Sequence, residues 1–401
     1  MSEQGGVIVT INGGSSSIKF AVYQTAPQLQ LLRSGQVERI GSPGTQLISG
    51  EETRTINAAD HAQAAGELIE WLLERIGPAS IAAIGHRVVH GGVHLLEHQR
   101  ITDELVEELR RTQPLDLAHL PREIALIDAF RARFGDVPQV ACFDTAFHRD
   151  LPQVARLLPI PRRYFDAGVR RFGFHGLSYA YLIGELERIA GPVAAAGRII
   201  LAHLGSGASM AAVRGGKPID TSMSFTPTAG LVMSTRPGDL DPGLLVYLMR
   251  RDRLNFEQID HLISYDCGLI GISQTSGDTR DLLERRASDP RAAEAVELFC
   301  YQARKFIGAY AAAMGGLDMI VFAGGVGEHA SPVRGEICAG LEFLGVRLEE
   351  SRNAAGEAII SADDSRVAVR VMHTDEEVMI ARIVLRVAEL ATDEGRNTPH
   401  G

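Results

Sequence analysis

Two stretches of this chain, about half its length apart, carry the same strand–turn–strand pattern. When "GRIILAHLGSGASMAAV" (Gly197–Val213) is laid on "VIVTINGGSSSIKFAVY" (Val7–Tyr23), Ile8 falls on Ile199 and Asn12 on His203. Gly14 falls on Gly205, Ser15 on Ser206, and Ala21–Val22 on Ala212–Val213. At 401 residues the chain is longer than one hydrophobic core ordinarily supports. A repeat at this spacing therefore predicts two α/β lobes, each with a hairpin whose Gly/Ser turn faces a shared cleft. A slack Ser/Gly turn matched by chance would look the same locally, so the rest of the chain has to decide.

The segments between the hairpins alternate strands and helices. Ile18–Tyr23 and Gln28–Ile40 read as strands, and Asp60–Gly77 reads as a helix with Asp60 at its N-cap and Gly77 as its stop. Ile81–Gly92 reads as a strand ending in a basic, glycine-closed turn. Helices are expected at Glu104–Arg111 and Glu123–Phe134, followed in Gln139–His148 by a strand that ends on Asp144. In the second half, Arg291–Gly316 predicts a long helix. "LDMIVFAGGVGEHASPVRGEICAGLEFLG" predicts strand, Gly-rich turn and helix, with Ser331 and Pro332 as N-cap and N1. "RVAVRVMH" and "DEEVMIARIVLRVAEL" close the chain as strand and helix, before a polar tail expected to fray.

Composition removes several functions. A formal charge of −10 argues against nucleic acid as a partner, because phosphate neutralisation needs a basic face. Cys142, Cys267, Cys300 and Cys338 share no C-x-x-C spacing, so neither a zinc site nor a redox pair is expected. "MSEQGG" has no basic or apolar signal region, and no apolar run is membrane-length, so a cytoplasmic protein with no membrane partner is expected.

The polar turns point to phosphate chemistry. The opening turn is neither a Walker A loop nor a dinucleotide fingerprint, because its glycines do not lead into a helix. It can still form an anion nest, with Asn12 and Lys19 beside it. "GHRVVHGG" sets Arg87, whose planar fork suits a carboxylate or phosphate, among apolar neighbours. Asp144 in "CFDTAFH" lies at a strand end, where acids of α/β sites often sit. His175 in "RRFGFHG" and Arg236 in the long loop Asp220–Gly243 could meet a phosphoryl group. Glu376 and Glu377 in "HTDEEV" are hard-oxygen ligands suited to Mg²⁺. A structural ion pair for Arg87, a turn Asp, a satisfied core His and a helix N-terminus would account for these residues one at a time. Together they favour phosphoryl transfer.

The ordered motifs "INGGSSSIKF", "GHRVVHGG", "CFDTAFH", "RRFGFHG", "HLGSGAS", "DTSMSFTP", "STRPGDLDP", "SGDTR", "GGVGEH" and "TDEE" span nearly the whole chain. In that order they resemble the acetate/propionate kinase family of the sugar kinase, Hsp70 and actin superfamily. The resemblance implies two actin-like (ribonuclease H-like) lobes with mixed sheets flanked by helices and a ligand cleft between them. The first lobe would be residues 1–149 plus 378–401, and the second, nucleotide-binding and dimerising, 150–377. It implies a homodimer and Mg²⁺- or Mn²⁺-dependent in-line transfer from ATP to a short carboxylic acid.

Carried onto this sequence, the resemblance assigns Asn12 and Glu376 to the metal and Lys19 to phosphate. It gives Asp144, His175 and Arg236 catalytic roles and Arg87 the acid's carboxylate, with Val89, Phe174 and Pro227 walling the acyl pocket. The nucleotide would lie along His203, Leu204, Gly205, Ser206 and Gly207, along Asp278, Thr279 and Arg280, and along Gly325, Val326, Gly327, Glu328 and His329. The chain departs from the family's usual Asn at Ser206, Gly at Ser224 and Ser234, and Asn at His329. A propionate or butyrate kinase, a pyrophosphate-using relative and a non-catalytic sensor are the competing readings.

Overall fold

The computed structural model describes residues 6–389. The expectations for the extreme N-terminus and the polar C-terminal tail fall outside that range. The chain separates into two compact units, Met1–Ala146 with Asp375–Gly401, and Phe147–Thr374.

The first unit is built on a sheet of eight strands: β1 (Val7–Gly13), β2 (Ser17–Gln24), β3 (Gln30–Glu38), β4 (Gln46–Ser49), β5 (Glu52–Thr55), β6 (Ile81–Val88), β7 (Gln99–Arg100) and β8 (Gln139–Phe143). Their order is β5-β4-β3-β2-β1-β6-β8-β7. β1 is buried throughout because it is a central strand, antiparallel to β2 and parallel to β6. On one face Val9, Ile11, Phe20 and Val22 pack with Leu68 and Trp71 of helix His61–Ile76, with the Phe20 and Trp71 rings edge to face at 5.2 Å. Asp60 caps that helix as expected, accepting from the Gln63 N–H at 2.9 Å. Val88, Ala141 and Phe143 pack instead with helices Asp103–Thr112 and Leu120–Arg133.

Helix Glu376–Val387 also belongs to this unit and lies on β1, β6 and β8. A Cβ on Gly85 of β6 would stand 2.4 Å from Ile380 and 2.6 Å from Val384. Only glycine lets the helix come this close, which sets its acidic N-terminus beside the end of β1.

The second unit has a five-stranded sheet: β9 (Arg198–Leu204), β10 (Ala208–Arg214), β11 (Lys217–Thr221), β12 (Met319–Ala323) and β13 (Ala368–Val371), ordered β11-β10-β9-β12-β13. This repeats β3-β2-β1-β6-β8 strand for strand: a central strand, an antiparallel hairpin partner on one side and two parallel strands on the other. The sequence repeat is therefore a repeat of topology. Ile199 and Leu201 pack with Leu182 and Leu186 of helix Gly176–Ala190. The expected long helix is Pro290–Met314, capped by Asp289.

Two local expectations differ. The Gly-rich "GGVGEH" is a short helix, Gly324–His329, entered through left-handed Gly324 (φ 76°), so glycine there serves the entry rather than a turn. The next helix spans Ser331–Cys338 with Ala330 at the N-cap, which moves Ser331 and Pro332 one position inward and leaves no side-chain cap. Among the described residues no helix is long and apolar enough to cross a membrane.

Candidate functional site

In the first unit the sequence-selected polar residues converge at the carboxyl ends of β1, β6 and β8. Arg87 is the hub. Its Nη2 donates to Asp144 Oδ2 at 2.7 Å and its Nη1 to Asn12 Oδ1 at 3.2 Å, and its Nε lies 3.8 Å from Glu376 Oε2. Asn12 Nδ2 donates to Glu376 Oε2 at 3.1 Å and to Glu377 Oε1 at 3.2 Å. Asp375 caps the helix that carries both glutamates, accepting from the Val378 N–H at 2.8 Å. Burial works against the Arg87 charge, but Asp144, Glu376 and Glu123 outweigh it, and the guanidinium titrates above its ordinary value. Burial, then the neighbouring Glu376 charge, raises the Glu377 carboxyl.

Glu123 joins this cluster unannounced by any sequence motif. It is buried, and its Oε2 accepts the Val89 N–H at 3.0 Å. Its Oε1 has no hydrogen-bond partner among the described residues. Desolvation pushes its pKa up to about 8, against the pull of Arg87. Burial thus holds its carboxyl toward the protonated form. Lys19, paired with Asn12 across the hairpin, is exposed.

Asp144 and Glu376 face the Arg87 guanidinium, and Glu377, held by Asn12, lies in the field of Lys19, so three carboxylates stand against two cations, an excess of negative charge that a further cation would offset. Among the described residues no three His, Cys, Asp or Glu side chains are gathered to hold a metal directly. Asn12 and one or two glutamates nonetheless fit Mg²⁺, which keeps most of its waters and takes few protein ligands.

The second unit holds the imidazoles and Arg236. His175 has left-handed backbone (φ 59°) at the N-cap of helix Gly176–Ala190, a conformation unusual outside glycine and enriched at functional sites. Its ring stacks on His203 at 4.3 Å between centroids. Arg236 Nη1 donates to the Pro227 carbonyl at 2.7 Å. A Cβ at Gly207 would stand 2.8 Å from Arg236 Nη2 and 3.4 Å from His175 Nε2, so glycine keeps the space in front of both groups open. At Gly205 the nearest side-chain atom to such a Cβ would be His203 Nε2, at 3.9 Å.

The same Gly/Ser turn borders a cavity of about 430 Å³. Gly205, Ser206, Asp278, Thr279, Arg280, Gly325, Val326 and His329 line it, as do Ser234, Gly277, Leu283, Ala330 and Pro332. Of the nucleotide set, His203, Leu204, Gly207, Gly327 and Glu328 do not line it. Leu204 is core, Gly327 gives its carbonyl to buried Arg334, and Glu328 accepts the Gly324 N–H while meeting His373 at 2.9 Å. Asp278 caps helix Thr279–Arg285, accepting from the Arg280 N–H. Val89 is buried in the first unit, and Phe174 and Pro227 in the second.

The acetokinase family model matches residues 7–382. The chain belongs to the acetokinase family. An acetate kinase from Methylocella silvestris is 42% identical over 398 residues, 95% of this chain and 98% of that protein. A propionate kinase from Citrobacter rodentium is 42% identical, covering 95% and 96%. The crystal structure of Porphyromonas gingivalis acetate kinase superposes with a TM-score of 0.86 at 35% identity, covering 96% of this chain and all of that one. As an acetokinase the chain is a phosphotransferase with the two-lobed actin-like fold. That fold is the duplicated sheet topology described above.

Proposed function

We propose that this acetokinase catalyses reversible, Mg²⁺-dependent phosphoryl transfer from ATP to acetate. The observation that carries the reading is the joint aim of His175 Nε2 and Arg236 Nη2 at Gly207, in the turn that also borders the 430 Å³ cavity. A nucleotide in that cavity, lined by Asp278–Arg280 and Gly325–Val326, would bring its terminal phosphate to the turn. The room for a nucleoside favours ATP over pyrophosphate as donor.

Arg87 takes the acid's carboxylate in bidentate fashion, and Asp144 holds the guanidinium in place. The carboxylate needs no general base because it is already ionised at neutral pH. Phosphoryl transfer depends on in-line positioning and charge neutralisation more than on covalent chemistry. His175 and Arg236 supply donors to the transferring group. Asn12 and Glu376, with Glu377, hold the metal, which when bound would neutralise phosphate charge. The family resemblance assigns Val89, Phe174 and Pro227 to the acyl methyl.

Helix Pro242–Arg251 has no buried residue, and it leaves Val246 48% and Tyr247 56% exposed. Such a face supports a homodimer in which a second copy covers it. ATP as co-substrate fits a cytoplasmic location.

A hydroxamate assay with ATP, Mg²⁺ and acetate, propionate or butyrate tests the reading. Acyl phosphate with acetate as the best substrate by kcat/KM is expected. A higher kcat/KM with propionate would reassign the acid, and product from pyrophosphate alone would reassign the donor. No product with any pair would leave a sensor.

A further inference from the structure

His175 is tethered on the ring edge opposite the one it turns to Gly207. Its Nδ1 is 2.8 Å from Ser209 Oγ, and Ser209 Oγ is 2.5 Å from the Tyr179 hydroxyl. Ser209 and Tyr179 are both fully buried. Tyr179 lies one helical turn beyond His175, on the same helix face. Ser209 lies on β10 directly opposite His203. Neither hydroxyl has a part in the proposed reaction.

The chain of bonds has a preferred direction. A phenol donates better than an alkyl hydroxyl and accepts less well. With Tyr179 donating to Ser209 Oγ, the single Ser209 hydrogen is left for His175 Nδ1. That nitrogen is then an acceptor, and the ring proton sits on Nε2. The reverse order would drive the Ser209 hydrogen into the phenol oxygen. It would also point a bare Nε2 lone pair at the space where phosphoryl oxygens arrive. The stacked partner is held alike, with His203 Nδ1 2.8 Å from Ser178 Oγ, itself 2.7 Å from Thr374 Oγ1. Two imidazolium rings at a 4.3 Å centroid distance would repel, so the stack disfavours a charge on both rings at once.

We propose that Tyr179 and Ser209 are positioning residues that fix His175 as the neutral Nε2–H tautomer, so that it meets the transferring phosphoryl group as a hydrogen-bond donor. The inference rests on the reaction proposed above, and its first readout does not depend on turnover.

Long-range ¹H–¹⁵N correlation spectra of the full chain labelled with ¹⁵N-histidine report the tautomer, with His175 assigned by difference against His175→Gln. An Nε2–H pattern is expected in the wild type, and an increased Nδ1–H fraction in Ser209→Ala. In that variant kcat should fall roughly 10- to 100-fold, the scale of one misplaced donor, with both KM values within about twofold. Ser209→Thr, which keeps the hydroxyl, should restore tautomer and kcat. Tyr179→Phe should move both in the same direction, and its preserved shape carries the test should Ser209→Ala fail to fold. An Nδ1–H pattern in the wild type overturns the proposal. Wild-type tautomer and kcat in both variants overturn it too. A wild-type chain that shows Nε2–H but makes no acyl phosphate counts against the reaction and supports the relay.

Discussion

The two hairpins of this protein share one topology and have opposite chemistry. Asn12 at the end of β1 and His203 at the end of β9 occupy matching positions, each paired to β2 or β10 and flanked by a parallel strand. Around Asn12 the chain gathers ions: Arg87, Asp144, Glu376 and Glu377 within one hydrogen-bonded cluster. Around His203 it gathers hydroxyls and rings: His175, Ser178, Ser209 and Tyr179. The scaffold fixes where a polar group stands, and the neighbouring helices decide what it does. In the first unit that helix starts with two glutamates, and in the second it starts after a left-handed histidine.

If the hydroxyl-lined site performs the transfer and the ionic cluster holds a substrate, their variants should fail differently. Arg236→Ala should lower kcat by about 10²- to 10³-fold, the usual cost of one donor to developing charge. Its melting temperature should stay close to that of the wild type, because the bond of Arg236 to the Pro227 carbonyl ties one loop to itself rather than to the core. Arg87→Ala should fail as a folding defect as well. It takes the guanidinium away from Asp144, whose side chain is fully buried, at a cost of about 3–5 kcal/mol. Denaturant titration of both variants separates the two, and equal stability losses would end the contrast. The double variant Arg87→Met/Asp144→Leu should recover stability without activity.

Much of this arrangement is legible in the sequence because it depends on short-range rules. The hairpin repeat, the Asp60 cap and Asp144 at a strand end all follow from spacing and residue type. What spacing does not encode is which side chains meet across elements. Glu123 is one acid in an amphipathic helix, and nothing local marks it as buried against Val89. Ser209 is one hydroxyl in a mostly apolar, buried strand, significant only because it meets His175 and Tyr179 of another element. Tyr179 did leave a signal, four residues after a lone His at the start of a helix. The "GGVGEH" segment misleads in the other direction, since glycine-rich composition reads as a turn whereas its first glycine only admits the chain to a helix.

A smaller effect probes the space between His175 and Arg236. Gly207→Ala would place a methyl 2.8 Å from Arg236 Nη2, the mobile end of a long side chain. Arg236 can give way, so the fold should survive while its aim is lost. We expect kcat to fall about tenfold with unchanged melting temperature, on the scale of a catalytic group moved by under an ångström. Full activity in this variant would show that Gly207 borders no reacting group. The matching change in the first hairpin, Ser16→Ala, should leave kcat within about twofold, because Ser16 is an exposed residue of its turn.

The smallest effect is one of pH, and it belongs to the ionic unit alone. Glu123 has a folded pKa of about 8 against an ordinary 4.5, raised chiefly by desolvation. Between those values the folded chain keeps a proton that the unfolded chain has released. Stability from this group is therefore full below pH 4.5, is lost as pH rises through the window, and falls no further above pH 8. Glu123→Gln cannot ionise and can still accept the Val89 N–H through its amide oxygen. All other titrations are common to both proteins and cancel in the difference. The melting temperature of Glu123→Gln minus that of the wild type should therefore climb from pH 5 to pH 9, by at least about 2 °C. A difference that stays flat would mean that Arg87 holds Glu123 ionised throughout. The first unit would then carry one more negative charge in its ionic cluster, and its contrast with the hydroxyl-held histidines of the second would be larger still.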